Sequence, residues 1–293
     1  RSGKIRNSFN NFKTSEKFSL YNFLTSNLQL TYFLYFNIKS YFRNNFEFSK
    51  NDEFFSKFDA YSKGYDRGSW TYDNNKFRKK GLLYSSQNMK KLAKQGDTER
   101  EIFRKFRIDI LTNGADEVPY LVGGSGANGP EEVIGMPSDR VLCEGDVLMM
   151  DTGAVFDGYY SDFDRNFAFG SVSEAAQSAY RKVYEATEAG LRIVRPGMTA
   201  EEIWREMAKV LGLDEGSGSV GRLGHGLGMQ LTEWPSHMPG DKTKLEEGMV
   251  ITLEPSLTFD EKKIMVLEEN IVVRAGPAEL LTYRAPEEIP IIY

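Results

Sequence analysis

Three aspartates, Asp151, Asp162 and Asp164, stand close together in residues 147–165. Carboxylates gathered at one point bind hard divalent cations, so the first question is whether the chain gathers these. Two apolar and aromatic runs meet at Asp157-Gly158, a dipeptide suited to a two-residue type I′ turn. With that turn, Phe156 faces Tyr159, Gly153 faces Asp162, and Asp151 faces Asp164. Directly opposed residues share a face of the sheet, so all three acids point the same way. Like charges opposed on a sheet destabilise it by several tenths to about 1 kcal/mol, and burying them costs more. A divalent cation among them is the simplest remedy. The plainer alternative is a solvated hairpin face that happens to carry acids.

Two later stretches bear on that choice. Residues 221–229 surround His225 with glycines. A phosphate-binding loop would follow a strand and open a helix, but Thr232-Glu233-Trp234-Pro235 does not start a helix. Glycines around one histidine instead let the backbone crowd close to a ligand. Further on, Glu254 ends the apolar run 249–255, and Glu268 and Glu269 lie within the run 264–273, which reads as one strand. Carboxylates embedded in apolar strands are costly unless paired or metal-bound. Alternation excuses one of Glu268 and Glu269 as a surface residue, but not Glu254 as well.

The elements that must position these groups are partly legible. Thr98 with Glu101, and Thr199 with Glu202, each form a capping box that opens a helix. The segments 96–104 and 197–205 also agree at a glycine, an isoleucine, an aromatic residue and an arginine. Capping chemistry explains the threonine and glutamate but not the rest, so the chain carries an internal duplication, with one αβ half ahead of the hairpin and one after it. Residues 122–137 read as a glycine-rich loop, and 173–194 as a helix with Tyr180, Val183, Ala186 and Leu191 at helical spacing.

The chain of 293 residues has a net charge of −5, which gives no reason to expect nucleic acid. Cys143 is the one cysteine, which excludes an internal disulfide and fits a reducing, cytoplasmic setting. Residues 1–75 hold more than half of the aromatics and are crowded with Asn and Lys. Their most apolar part, 20–36, is broken by Asn, Thr, Ser and Gln, whereas a spanning helix needs ~20 predominantly apolar residues. Early basic residues loosely imitate a signal peptide, but no small-residue cleavage site follows. The expected division is a short, atypical segment over 1–75 and a main domain over 76–293.

The order Asp, Asp, His, Glu, Glu, from about Gly81 to the C-terminus, resembles the pita-bread metallohydrolases. Methionine aminopeptidase, aminopeptidase P and prolidase belong to that group, as do the non-peptidases creatinase and a dimethylsulfoniopropionate lyase. The resemblance implies an α+β pita-bread fold, with pseudo-two-fold halves around a mixed, curved sheet. It implies two divalent ions (Mn, Fe, Co or Zn) held by Asp151, Asp162, His225, Glu254 and Glu268, with Asp162 and Glu268 bridging. The activity implied is an Xaa-Pro aminopeptidase or dipeptidase using a metal-bridging hydroxide, with Glu254 passing the proton and Glu233 as a further catalytic acid.

The chain departs from that pattern in places. Thr232 stands where the peptidases place a histidine just before a Glu, and Ile134 stands at a second histidine position. Thr232 and His237 are then the candidates for substrate contact. Asp164 replaces a common Thr, and three roles are open to it: an extra ligand, a partner of a metal-bound water, or an acid standing in for the missing histidines. The missing histidines favour, as an alternative, a lyase-like or amidinohydrolase-like reaction on a small metabolite. A metal-free binding module is the third reading. Expected partners are a short peptide or small-molecule substrate and a second copy of the chain, with no nucleic acid and no membrane.

Overall fold

Asp157 and Gly158 both take positive φ, 52° and 82°, as a type I′ turn requires. The structure, a computed structural model, describes residues 86–213 and 221–293. The expectations for 1–75 therefore lie outside the described residues.

The turn joins β2 (Asp146–Phe156) to β3 (Tyr159–Phe169). The pairing runs Phe156↔Tyr159, Gly153↔Asp162 and Asp151↔Asp164, the register expected from the turn. On the far side of β2 lies β1 (Glu117–Ala127), antiparallel to it. This corrects the reading of 122–137 as loop throughout, because residues as far as Ala127 are strand. The glycines serve the pairing: a Cβ on Gly123 would meet the Met149 carbonyl oxygen at 2.2 Å. The short β11 (Ile291–Ile292) adds to β3 in parallel and completes a four-stranded mixed sheet, β1-β2-β3-β11.

Helices α1 (Ser86–Leu92) and α2 (Glu99–Thr112) cover one face of that sheet. Ile102, Phe103, Phe106 and Ile110 on α2 pack with Leu148, Met150, Phe163 and Phe167. Alternation turns Val147, Asp151 and Ala168 to the other face, toward the second half of the molecule. There α3 (Glu174–Ile193) and α4 (Ala200–Leu211) pack Tyr180, Ile203, Trp204 and Met207 against Ile251, Leu253 and Ile271. Burying each such side chain contributes about 1.5–3 kcal/mol.

The second half is a five-stranded sheet of β4 (His225–Gly226), β5 (Glu233–Ser236), β6 (Val250–Leu253), β9 (Glu269–Val272) and β10 (Glu279–Leu280), in the order β10-β9-β6-β4-β5. Strands β7 (Ser256–Phe259) and β8 (Lys263–Val266) form a separate ribbon. The run 264–273 is thus not one strand as expected. It breaks at Leu267-Glu268, where the chain leaves β7 and joins β6.

The duplication holds residue by residue. Both helix starts have complete capping boxes, on Thr98 with Glu101 and Thr199 with Glu202. Gly96 N–H donates to Leu142 O at 2.9 Å, and Gly197 N–H to Leu245 O at 2.8 Å. Gly145 N–H donates to Phe169 O at 2.9 Å, and Gly248 N–H to Val273 O at 2.8 Å. Carried along the strands, this correspondence equates Asp151 with Glu254, Asp164 with Glu268, Arg165 with Glu269, and Asn166 with Asn270. The two asparagines tie the halves together in matching fashion. Asn166 Nδ2 donates to Val266 O at 2.6 Å, while Asn270 Nδ2 donates to Asp162 O and its Oδ1 accepts from Asp162 N at 3.0 Å.

Candidate metal centre

At the seam between the halves, ligand atoms of Asp162, His225, Glu254 and Glu268 lie within 4.8 Å of one another. Each arrives from a different element. Asp162 comes from the middle of β3, His225 from β4, Glu254 from the residue after β6, and Glu268 from the break before β9. His225 Nδ1 bonds its neighbour's carbonyl, Gly226 O, at 2.8 Å, which fixes the ring. Its Nε2 then faces Asp162 Oδ2 at 3.4 Å and Glu254 Oε2 at 3.3 Å. Hydrogen bonding through one ring nitrogen to present the other is how a ligating histidine is oriented.

Asp151 and Asp164 border this set as a directly opposed pair on β2 and β3. Asp162, Asp164, His225 and Glu268 are buried, whereas Asp151 and Glu254 are partly exposed and mark the side open to solvent. Arg222 lies at that opening, with Nε donating to Glu254 Oε1 at 3.1 Å. Glu268 Oε1 and Asp164 Oδ1 are buried and have no hydrogen-bond partner among the described residues.

The electrostatics follow from this crowding. Burial, with the charges of Asp162 and Glu254, pushes the Asp151 carboxyl up to about 7. Burial and neighbouring carboxylates also hold Asp164 and Glu268 well above the usual range. His225 goes the other way: burial pulls it down, but bonds to Asp162 and Glu254 outweigh that and lift it to about 9. Glu254 is held low despite burial by His225 and Arg222. The carboxylates outnumber the cations that face them, and this imbalance is what a metal would relieve.

Several residues that shape the centre were missed by sequence reasoning. Tyr120 on β1 lies across Gly153, which is opposite both Tyr120 and Asp162 in the sheet. Its hydroxyl donates to Asp162 Oδ1. Burial and the charges of Asp162, Glu268 and Asp151 raise its pKa well above the usual value, so it remains a donor. Gly153 is the hollow that admits the ring, because a Cβ there would meet Ser161 O at 2.2 Å and Tyr120 Oη at 2.7 Å. Arg165 donates to the carbonyls of Asp164 and Glu268 and pairs with Glu269 at 3.0 Å. Glu269, buried like Glu268, is therefore not a surface acid. It is neutralised by Arg165 and Arg284 and accepts further bonds from Thr282 Oγ1 and Ala285 N. The signal for Tyr120 and Arg165 is tertiary register, which no single stretch of sequence carries.

The other candidates fall around the edge. Glu233, opposite Gly226 on β5, accepts from Gln230 N at 2.9 Å. Thr232 is exposed, as is Ile134 at 78%. His237 is fully buried and backs onto Gly224. Burial and the charge of His225 push it down to about 4, so it is neutral.

The sequence profile of metallopeptidase family M24 matches residues 83–275. An Xaa-Pro dipeptidase of Pyrococcus furiosus is 33% identical over 194 residues, which cover 64% of this chain and 54% of that protein. The chain thus spans about half the length of such relatives. Among solved structures, an X-Pro aminopeptidase from Thermotoga maritima MSB8 superposes with a TM-score of 0.70 at 26% identity, covering 88% of this chain and 72% of that one. Prolidase from Pyrococcus furiosus gives 0.65 at 27% identity, covering 80% and 69%. The duplicated halves are the pita-bread architecture, and the chain belongs to metallopeptidase family M24.

Proposed function

We propose that the domain over 76–293 is a metal-dependent peptidase of the Xaa-Pro type, cleaving an N-terminal residue from a short peptide or dipeptide with proline second. The observation that supports this most is the four-residue cluster at the seam, in a chain whose relatives include Xaa-Pro dipeptidases and an X-Pro aminopeptidase. The residues present fit a resident metal. Buried, partnerless oxygens of Glu268 and Asp164 point to a cation, and carboxylates with one imidazole suit Mn, Fe, Co or Zn. Asp162, His225, Glu254 and Glu268 would hold one ion, and Asp151 with Asp162 and Glu268 a second. Two such cations, when bound, supply Lewis-acid polarisation of a carbonyl and a nucleophile at neutral pH.

The chain's own groups do the rest. Glu254, partly exposed at the open side, takes a proton from the attacking water and delivers it to the departing nitrogen. Arg222 holds Glu254 Oε1 from the open side, while Oε2 faces His225 Nε2 at 3.3 Å. Tyr120 fixes the orientation of Asp162 by donating to it. Glu233 is a second acid on the strand beside His225, and Thr232 is the exposed residue on the substrate side. Enclosed as it is behind Gly224, His237 is set back from the open side where substrate would enter.

A reaction on a small metabolite is the second reading, and it is favoured by Thr232 and Ile134 at the two histidine positions. A panel separates the two: the metal-loaded chain is assayed on Xaa-Pro dipeptides, Xaa-Pro tripeptides, and small sulfonium and ureido compounds. Proline release from the dipeptides is the expected result. Turnover of the small compounds alone would overturn the peptidase reading.

A further inference from the structure

We propose that Asp164 is itself a metal ligand, adding a carboxylate oxygen on the Asp151 side of the centre. This rests on the metal-centre reading above and goes beyond the five ligands that the family resemblance implies. Four observations carry it. Asp164 lies directly opposite Asp151, so their side chains leave the sheet on the same face. It is 4% exposed, and its Oδ1 has no hydrogen-bond partner among the described residues. Two residues along β3 from Asp162, it also shares the face from which that ligand points, opposite to the face that packs Phe163 and Phe167 into the core. Finally, in the duplicated fold its counterpart is Glu268, which among the described residues is likewise a buried acid with a partnerless oxygen. Each half thus contributes a matching pair, Asp151 with Asp164 and Glu254 with Glu268.

The protein groups that could neutralise Asp164 are engaged elsewhere. Arg165 spends its guanidinium on Glu269 and on the carbonyls of Asp164 and Glu268. Tyr120 donates to Asp162. Of the three roles left open by the sequence, burial removes contact with substrate, and the partnerless oxygen favours direct ligation.

The test is a calorimetric titration of the chelator-stripped full chain with Mn²⁺, comparing wild type with Asp164→Asn, Asp164→Thr and Asp151→Asn. Asparagine keeps the shape and removes a charge, and circular dichroism confirms that each variant folds. Asp164→Asn and Asp164→Thr should weaken one Mn²⁺ site at least tenfold and leave the other unchanged, and Asp151→Asn should weaken the same site. Metal-free Asp164→Asn should melt no lower than wild type, because asparagine keeps the shape without a buried carboxyl crowded by other acids, yet gain less on adding Mn²⁺. Unchanged stoichiometry and affinity in both Asp164 variants would overturn the assignment while leaving the metal centre intact. A wild type that binds no Mn²⁺ would overturn the centre and Asp164's place in it together.

Discussion

Asp162 has the most to do of any residue at the centre. It meets Tyr120 through one oxygen and His225 through the other, and its backbone is clamped by Asn270. In the proposed arrangement Asp151 would serve one ion only. Metal content after loading and desalting should therefore fall further in Asp162→Ala than in Asp151→Ala, and equal retention would argue against bridging. Titration gives a second prediction at this scale. Asp151 rises from 3.8 to about 7 in the folded, metal-free chain, with Asp164 and Glu268 displaced the same way. Between those two values the native state holds more protons than the unfolded one, so stability is full below the lower value and is lost as pH rises through the upper. The chelated chain should melt lower at pH 8 than at pH 5. Metal uptake expels those protons, so Mn²⁺ affinity should increase over pH 6–8. Melting and binding measured at both ends check the signs.

At the scale of elements, the hairpin was the most legible part of the sequence. Asp157-Gly158 specifies a turn, the turn specifies the register, and the register places Asp151, Asp162 and Asp164 on one face. Capping boxes gave both helix starts for the same reason, since each is a local hydrogen-bond pattern. Partners set by other strands were not legible. Gly153 reads locally as a weak strand residue, yet it is the gap through which Tyr120 reaches Asp162. The break at Leu267-Glu268 was hidden because both flanking runs are apolar, and only the change of partner strand separates them. Gly153→Ala tests the Tyr120 row. Overpacking typically costs about 1–3 kcal/mol, and losing the Tyr120 bond should also lower metal affinity. A melt and a Mn²⁺ titration read the two effects separately, and a variant with wild-type affinity would make Tyr120 a bystander.

At the scale of the whole molecule, the centre exists because two similar halves meet. Neither half carries the full candidate set, as Asp151, Asp162 and the proposed Asp164 come from one and His225, Glu254 and Glu268 from the other. The repeated helix start was visible in the sequence, but the seam was not, since it depends on Asn166 and Asn270 reaching across. Those two asparagines offer a paired comparison. Either Asn→Ala leaves buried backbone groups unsatisfied, at about 1–3 kcal/mol per group, so both should lower the melting temperature. Only Asn270 grips a candidate ligand, so Asn270→Ala should also weaken metal binding more than Asn166→Ala. Equal metal affinity in the two would mean that the seam supports the fold without tuning the site. Among the described residues no helix is long and apolar enough to cross a membrane.

The measurement that bears most directly on this account is the number of Mn²⁺ ions held by the stripped and reloaded chain, read by the loss of the free Mn²⁺ resonance in solution. Two ions per chain are predicted, with a coupled Mn–Mn signal that is absent from Asp162→Ala. No tight binding, or binding that survives unchanged in Asp162→Ala, would contradict it.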